Sequence, residues 1–158
     1  MGERSDLSVI GTDPAAPARP PTSTARTIGR LVLGAFLAFA GISHLTFGRE
    51  EFLAQVPGWV PANGDTVVLA SGVVEVGLGG ALLVLPRWRV PIGWLTAAFF
   101  VAIFPGNISQ YATHTDAFGL DSDRARAVRL LFQPVLVIWA LWSTGAWRDR
   151  PRRGATID

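Results

Sequence analysis

The chain contains no cysteine and no lysine, a single methionine, a single tyrosine and two histidines. Without cysteine there are no disulfides, no thiol redox chemistry, no iron–sulfur clusters and no zinc–thiolate sites. A bis-histidine haem would need both His44 and His114, and His114 falls in a polar stretch, which argues against haem ligation. No phosphate loop or dinucleotide fingerprint is present; the glycines of Gly77–Gly80 lie within an apolar run with no strand before them. Ser43 and His44 are neighbours and point different ways on a helix, so no Ser/His/Asp arrangement forms around them. Charge is scarce as well, at 16% of residues against 49% hydrophobic. All 14 basic residues are arginine, against 12 acidic ones. They sit at the ends of apolar runs and form no patch, a membrane-topology pattern that excludes nucleic-acid binding.

What is present is apolar length. The 158 residues suit one domain. Four apolar spans are predicted at about 28–47, 67–85, 90–111 and 127–147, each of roughly the 20 residues needed to cross a bilayer as a helix. The expected fold class is all-α, a four-transmembrane-helix bundle occupying residues 27–147. Residues 1–26, rich in Pro, Ala, Ser and Thr, read as a disordered cytoplasmic tail. Residues 148–158 read as a basic cytoplasmic tail resting on anionic lipid. Pro86-Arg87-Trp88-Arg89 is short enough to force an antiparallel hairpin. The Gly48–Thr66 loop is partly apolar, and Pro57 and Pro61 bar one continuous helix, so it reads as a short amphipathic helix and a proline-framed turn on the bundle mouth. The Ala112–Arg126 loop reads as solvated.

Arginine counting sets the expected orientation. Ten arginines fall on one side and four on the other (Arg49, Arg124, Arg126 and Arg129). This predicts cytoplasmic termini and an outward-facing mouth. Trp88, Trp94, Trp142 and Trp147 then form an inner aromatic belt. Ala38-Phe39-Ala40 resembles a signal-peptide cleavage site, but the apolar run continues past it and the segment before it is too long for an ordinary signal peptide.

Glu75 is the most informative residue. It interrupts Val67–Leu85, a run otherwise apolar or small. A carboxylate at that depth costs about 2.5–3.5 kcal/mol to insert, so it must face protein, water or a ligand. The helical rise places His44 about 4–5 Å, Asn107 about 6 Å, Gln133 about 9 Å and Glu75 about 12 Å from the outer helix ends, with Arg129 at the border. All four helices thus bring a polar residue to similar height in the outer half. Helical spacing supports this: Ser71, Gly72, Glu75 and Gly79 share a face, as do Gly34, Leu37, Gly41 and His44. Gly93, Ala97, Phe100, Phe104 and Asn107 align on the third span, and Arg129, Gln133, Leu136 and Ala140 on the fourth. Each residue has a structural reading beside the functional one. Glu75 pairs with Arg129 or His44 to fix register, or it serves a ligand. His44 is a cap or a titrating group. Asn107 and Gln133 bond across helices or bind a ligand. Trp59 anchors at the interface or covers the site. Pro105 frees a backbone carbonyl one turn earlier, where the local break lines a cavity.

The order of GISHL (41–45), FLAQVPGWVP (52–61), SGVVEVGLGGALLVLP (71–86), FPGNI (104–108) and RLLFQPVLVIW (129–139) resembles the DoxX-like family of small four-helix bacterial membrane proteins. The resemblance covers about Ile28 to Trp147. It implies a four-helix bundle in the bacterial cell membrane and a link to membrane redox systems, without a uniform activity. The absence of cysteine argues against a thiol relay unless a partner supplies the thiols. Two functions follow as expectations. The first is a non-catalytic accessory subunit of a membrane redox or envelope complex, partnered by the lipid bilayer and another membrane redox protein. The second is a quinone- or lipid-binding component of a membrane oxidoreductase. In it His44 and Glu75 exchange protons, and Asn107, Gln133, Arg129 and Trp59 complete the pocket. No electron carrier is encoded by the residues, so a partner would hold it. The accessory reading takes precedence, and no metal site is expected.

Overall fold

The computed structural model describes residues 22–149; the remainder of both expected tails lies outside the described residues. The helices are α1 (Thr24–Leu45), α2 (Arg49–Leu53), α3 (Gly64–Val84), α4 (Arg89–Ala112) and α5 (Asp123–Thr144), with a 3-10 turn at Pro86–Trp88. Among the described residues there is no strand, and the fold is an all-α four-helix bundle. Four helices are long and apolar enough to cross a membrane, the build of a multi-pass membrane protein.

The helix ends follow from local chemistry. The Ser23 hydroxyl accepts from Arg26 N, so α1 starts at Thr24, ahead of the expected Ile28. Asn63 accepts from Asp65 N at 2.9 Å and Thr66 N at 3.4 Å, and Asp65 adds favourable charge in the first turn of α3. Ser122 caps α5 through Ala125 N at 3.3 Å, four residues before the predicted start. Pro86 follows the end of α3, and Gly145, in the left-handed conformation (φ 71°), ends α5. The Gly48–Thr66 segment forms α2 and a turn between Pro57 and Pro61, as its prolines require.

The helices run up, down, up, down, but they pack as two pairs. α1 lies against α3 along a glycine seam. A Cβ on Gly41 would stand 2.6 Å from the Gly72 carbonyl oxygen, and one on Gly79 would stand 2.5 Å from Ala38 N. Small residues let these backbones approach where lipid supplies no hydrophobic drive between helices. The second pair is α4 with α5, where Gly93 fits against Thr144. α1 meets α5 around Gly29, where Trp139 Nε1 donates to the Gly29 carbonyl at 3.1 Å. The short hairpin makes α3 and α4 antiparallel, yet they touch little. The closed half of the bundle is filled by Leu33, Leu82, Ile92, Ala140 and Leu141. Lipid-facing positions such as Val73, Leu95 and Leu131 are exposed.

Candidate functional site

The other half of the bundle is not filled. A cavity of about 680 Å³ opens between the two helix pairs at the mouth. His44, Trp59, Glu75, Asn107, Arg129 and Gln133 all line it. The polar residues that the sequence placed at one height therefore share one space.

On the α1–α3 wall the glycine seam fixes the geometry. Gly41 and Gly72 bring the backbones together beside Glu75 and His44, each 5% exposed. His44 Nδ1 lies 3.1 Å from Ser71 Oγ and 3.4 Å from Glu75 Oε2. Ser71 Oγ donates its one hydrogen to the Val68 carbonyl at 2.9 Å. The proton in the His44–Ser71 contact must then come from Nδ1, which leaves Nε2 of the neutral ring as an acceptor. Both His44 Nε2 and Glu75 Oε2 are buried without a hydrogen-bond partner. A buried acceptor left unmatched costs roughly 1–3 kcal/mol. This pair alone therefore invites a donor.

The α4–α5 wall is a chain of amides ending in a cation. Asn107 Nδ2 donates to Gln133 Oε1 at 3.0 Å, and Gln133 Nε2 donates to the Phe100 carbonyl. That carbonyl is one residue before the one that Pro105 leaves without its helical donor. Arg129 Nε donates to Asn107 Oδ1 at 3.1 Å. Its NH2 donates to Gln55 Oε1 at 3.1 Å, and Gln55 Nε2 donates to Gln110 Oε1 at 2.9 Å. Among the described residues Arg129 forms no ion pair with Glu75, and its guanidinium lies over the Phe118 ring at 4.9 Å.

The loops lie at the mouth. Most of the Ala112–Arg126 segment is exposed, as expected of a solvated loop, and Ala117 and Arg126 are buried in it. Arg126 is buried and holds the loop, donating to the His114 carbonyl at 3.0 Å and pairing with Asp116 at 2.7 Å and Asp123 at 3.2 Å. Phe118, at a positive φ of 57°, packs on Phe52, and its amide donates to Glu51. Phe52 in turn packs edge-on to His44. Trp59 lies on the cavity rim and is 70% exposed. Gln55, Gln110, Phe52 and Phe118 were missed by the helix-depth argument, because they come from loops and a helix end. Gln55 carried one signal, a polar amide within the apolar FLAQV run.

Among the described residues no group of His and acidic side chains could hold a metal ion. The arrangement offers acceptors on one wall, donors on the other, and apolar surface between them from Phe36, Phe100 and Leu136. No curated protein and no solved structure matches the chain. Residues 33–144 match the family described as a domain of unknown function (DUF8561), and the chain belongs to that family.

Proposed function

We propose that the protein is a non-catalytic membrane subunit whose cavity binds a quinone head group for a partner oxidoreductase. One observation carries this reading: His44 Nε2 and Glu75 Oε2 are buried and make no hydrogen bond, although His44 Nδ1 stands 3.4 Å from Oε2, and both residues line a large cavity. A quinol hydroxyl would supply the missing donor there. Arg129, on the opposite wall, suits the far ring oxygen, which accepts a hydrogen bond as carbonyl or as hydroxyl. The apolar surface between the walls suits the ring. When bound, a quinone supplies two-electron, two-proton chemistry that the chain's own residues do not. The chain's part is to bind, to keep water from the head group, and to hold or release protons at His44 Nε2 and Glu75 Oε2. This favours the ligand-binding role over an anchoring role alone. The resemblance to DoxX-like proteins supports a partner that carries the redox cofactor.

The test is quinone content after extraction in mild detergent. Wild-type protein is expected to retain quinone detectable by mass spectrometry. Glu75→Gln and His44→Ala are expected to lose it while keeping the helical circular dichroism of the wild type. Protein that never carries or takes up quinone, with Glu75→Gln merely lowering the melting temperature, would leave the carboxylate a packing element and sink the reading.

The arginine distribution also supports cytoplasmic termini in a bacterial cell membrane, which turns the mouth outward. A cysteine placed in the Ala112–Arg126 loop is expected to react with an impermeant thiol reagent on whole cells. Reaction only after lysis would invert this orientation.

A further inference from the structure

The end of the bundle opposite the cavity has its own polar problem. Arg26 and Arg30 lie one turn apart on one face of α1. Arg89 opens α4 directly after the 3-10 turn. The left-handed Gly145 turns the chain back so that Ala146 is fully buried and the Asp149 carboxylate packs into the same corner. Asp149 Oδ2 lies 3.1 Å, and Arg26 NH1 3.6 Å, from where a Gly145 Cβ would stand.

Asp149 is already committed. Arg89 NH2 donates to Oδ2 at 2.7 Å, and Arg148 Nε donates to Oδ1 at 2.8 Å. The Arg148 hydrogen bond, with Arg89 and Arg26 adding their charges, holds the Asp149 carboxyl below its ordinary range. In the described segments that meet here, 24–34, 84–95 and 139–149, it is the one acidic residue. Yet Arg30 is 6% exposed, and its NH1 is buried without a hydrogen-bond partner. The NH1 of Arg26 is also buried without one. The like charge of Arg89 adds to the cost of burying Arg30. A buried cation with unmatched N–H groups is strongly disfavoured unless an anion completes it.

We infer that Arg26 and Arg30, with Arg89 beside them, form a binding site for one phosphate group at this membrane surface. Guanidinium groups present N–H pairs matched to phosphate oxygens, and a phosphate has enough acceptors to serve two guanidiniums at once. A second carboxylate would offer only two oxygens. The phosphate belongs either to a phospholipid head group or to free inorganic phosphate. Exposed Trp88, Trp142 and Trp147 surround this end and place it at head-group height, which favours the lipid. The site lies at the opposite end from the quinone cavity and does not depend on it.

The test uses the full chain, stripped of lipid by detergent exchange. Binding is read by native mass spectrometry and thermal melting against phosphatidylglycerol, diacylglycerol (comparable tails without phosphate) and inorganic phosphate. Phosphatidylglycerol is expected to bind and raise the melting temperature, while diacylglycerol does neither. Arg30→Gln is expected to weaken that binding about tenfold or more, and to melt no lower than wild type without lipid. Arg26→Gln is a second variant with a smaller loss. Arg30→Lys, which keeps the charge but not the fork, is expected to bind between wild type and Arg30→Gln. Inorganic phosphate that binds and competes with the lipid would assign the site to the free ion. Equal binding of diacylglycerol, or binding of every phosphate probe unchanged in both glutamine variants, would overturn the inference.

Discussion

The two helix pairs solve the problem of association in lipid differently. α1 and α3 meet backbone to backbone, with Gly34, Gly41, Gly72 and Gly79 removing the side chains between them. α4 and α5 meet through polar side chains, chiefly Asn107, Gln133 and Arg129, beside a helix interrupted by Pro105. The first seam is tight along its length, and its one deep charge, Glu75, emerges at its edge. The second is held by directional bonds that leave room beside them. The cavity sits where the pairs face each other, because neither mode of packing extends across the gap.

Two sets of variants separate these modes. The largest effect is expected in the glycine seam. A Cβ on residue 79 would strike backbone, which cannot rotate away, so Gly79→Ala should destabilise the bundle by about 1–3 kcal/mol. Gly77 and Gly80 are on the same helix with nothing within 4 Å of an added Cβ, so Gly77→Ala and Gly80→Ala should stay within about 0.5 kcal/mol of wild type. Unfolding titrations in mixed detergent micelles measure both; equal losses at residues 77 and 79 would erase the claimed asymmetry. An intermediate effect is expected on the polar side. Gln133→Leu strands Asn107 Nδ2 and removes the second bond to the Phe100 carbonyl, at a cost of about 1 kcal/mol, since hydrogen bonds between membrane helices contribute modestly. A loss as large as that of Gly79→Ala would mean that the amides carry the packing.

Much of this was legible because a membrane helix must explain every polar group it carries. Glu75, His44, Asn107 and Gln133 stood out against apolar runs, and the helical rise brought them to one level before any coordinates were known. The inward face of α3 was legible for a different reason. The helix has almost no apolar–polar asymmetry, so its orientation comes from Gly72, Glu75 and Gly79, which mark the inside by size and charge. Partner choice was less legible. Periodicity says which face turns inward, not which helix it meets, and the short Pro86–Trp88 turn required α3 and α4 to be antiparallel without saying that they touch little. The loops were least legible. Arg126 looked like a solvated charge, yet it is buried as the anchor of its loop, because besides Asp116 and Asp123 it binds two backbone carbonyls that no residue pattern displays. Gln55 belongs to a network with Arg129 and Gln110, far apart in the chain, and nothing local announces such a link.

The contrast between the two ends of the α3–α4 hairpin has a mechanical consequence. At one end a three-residue turn ties the helix pairs together, and the Trp139–Gly29 bond clasps α1 to α5 nearby. At the other end the pairs are bridged only by side chains and loop residues, among them Gln55, Phe118 and Glu51. The backbone thus ties the two pairs at one end, and the cavity opens at the other, where side chains and loops set their separation.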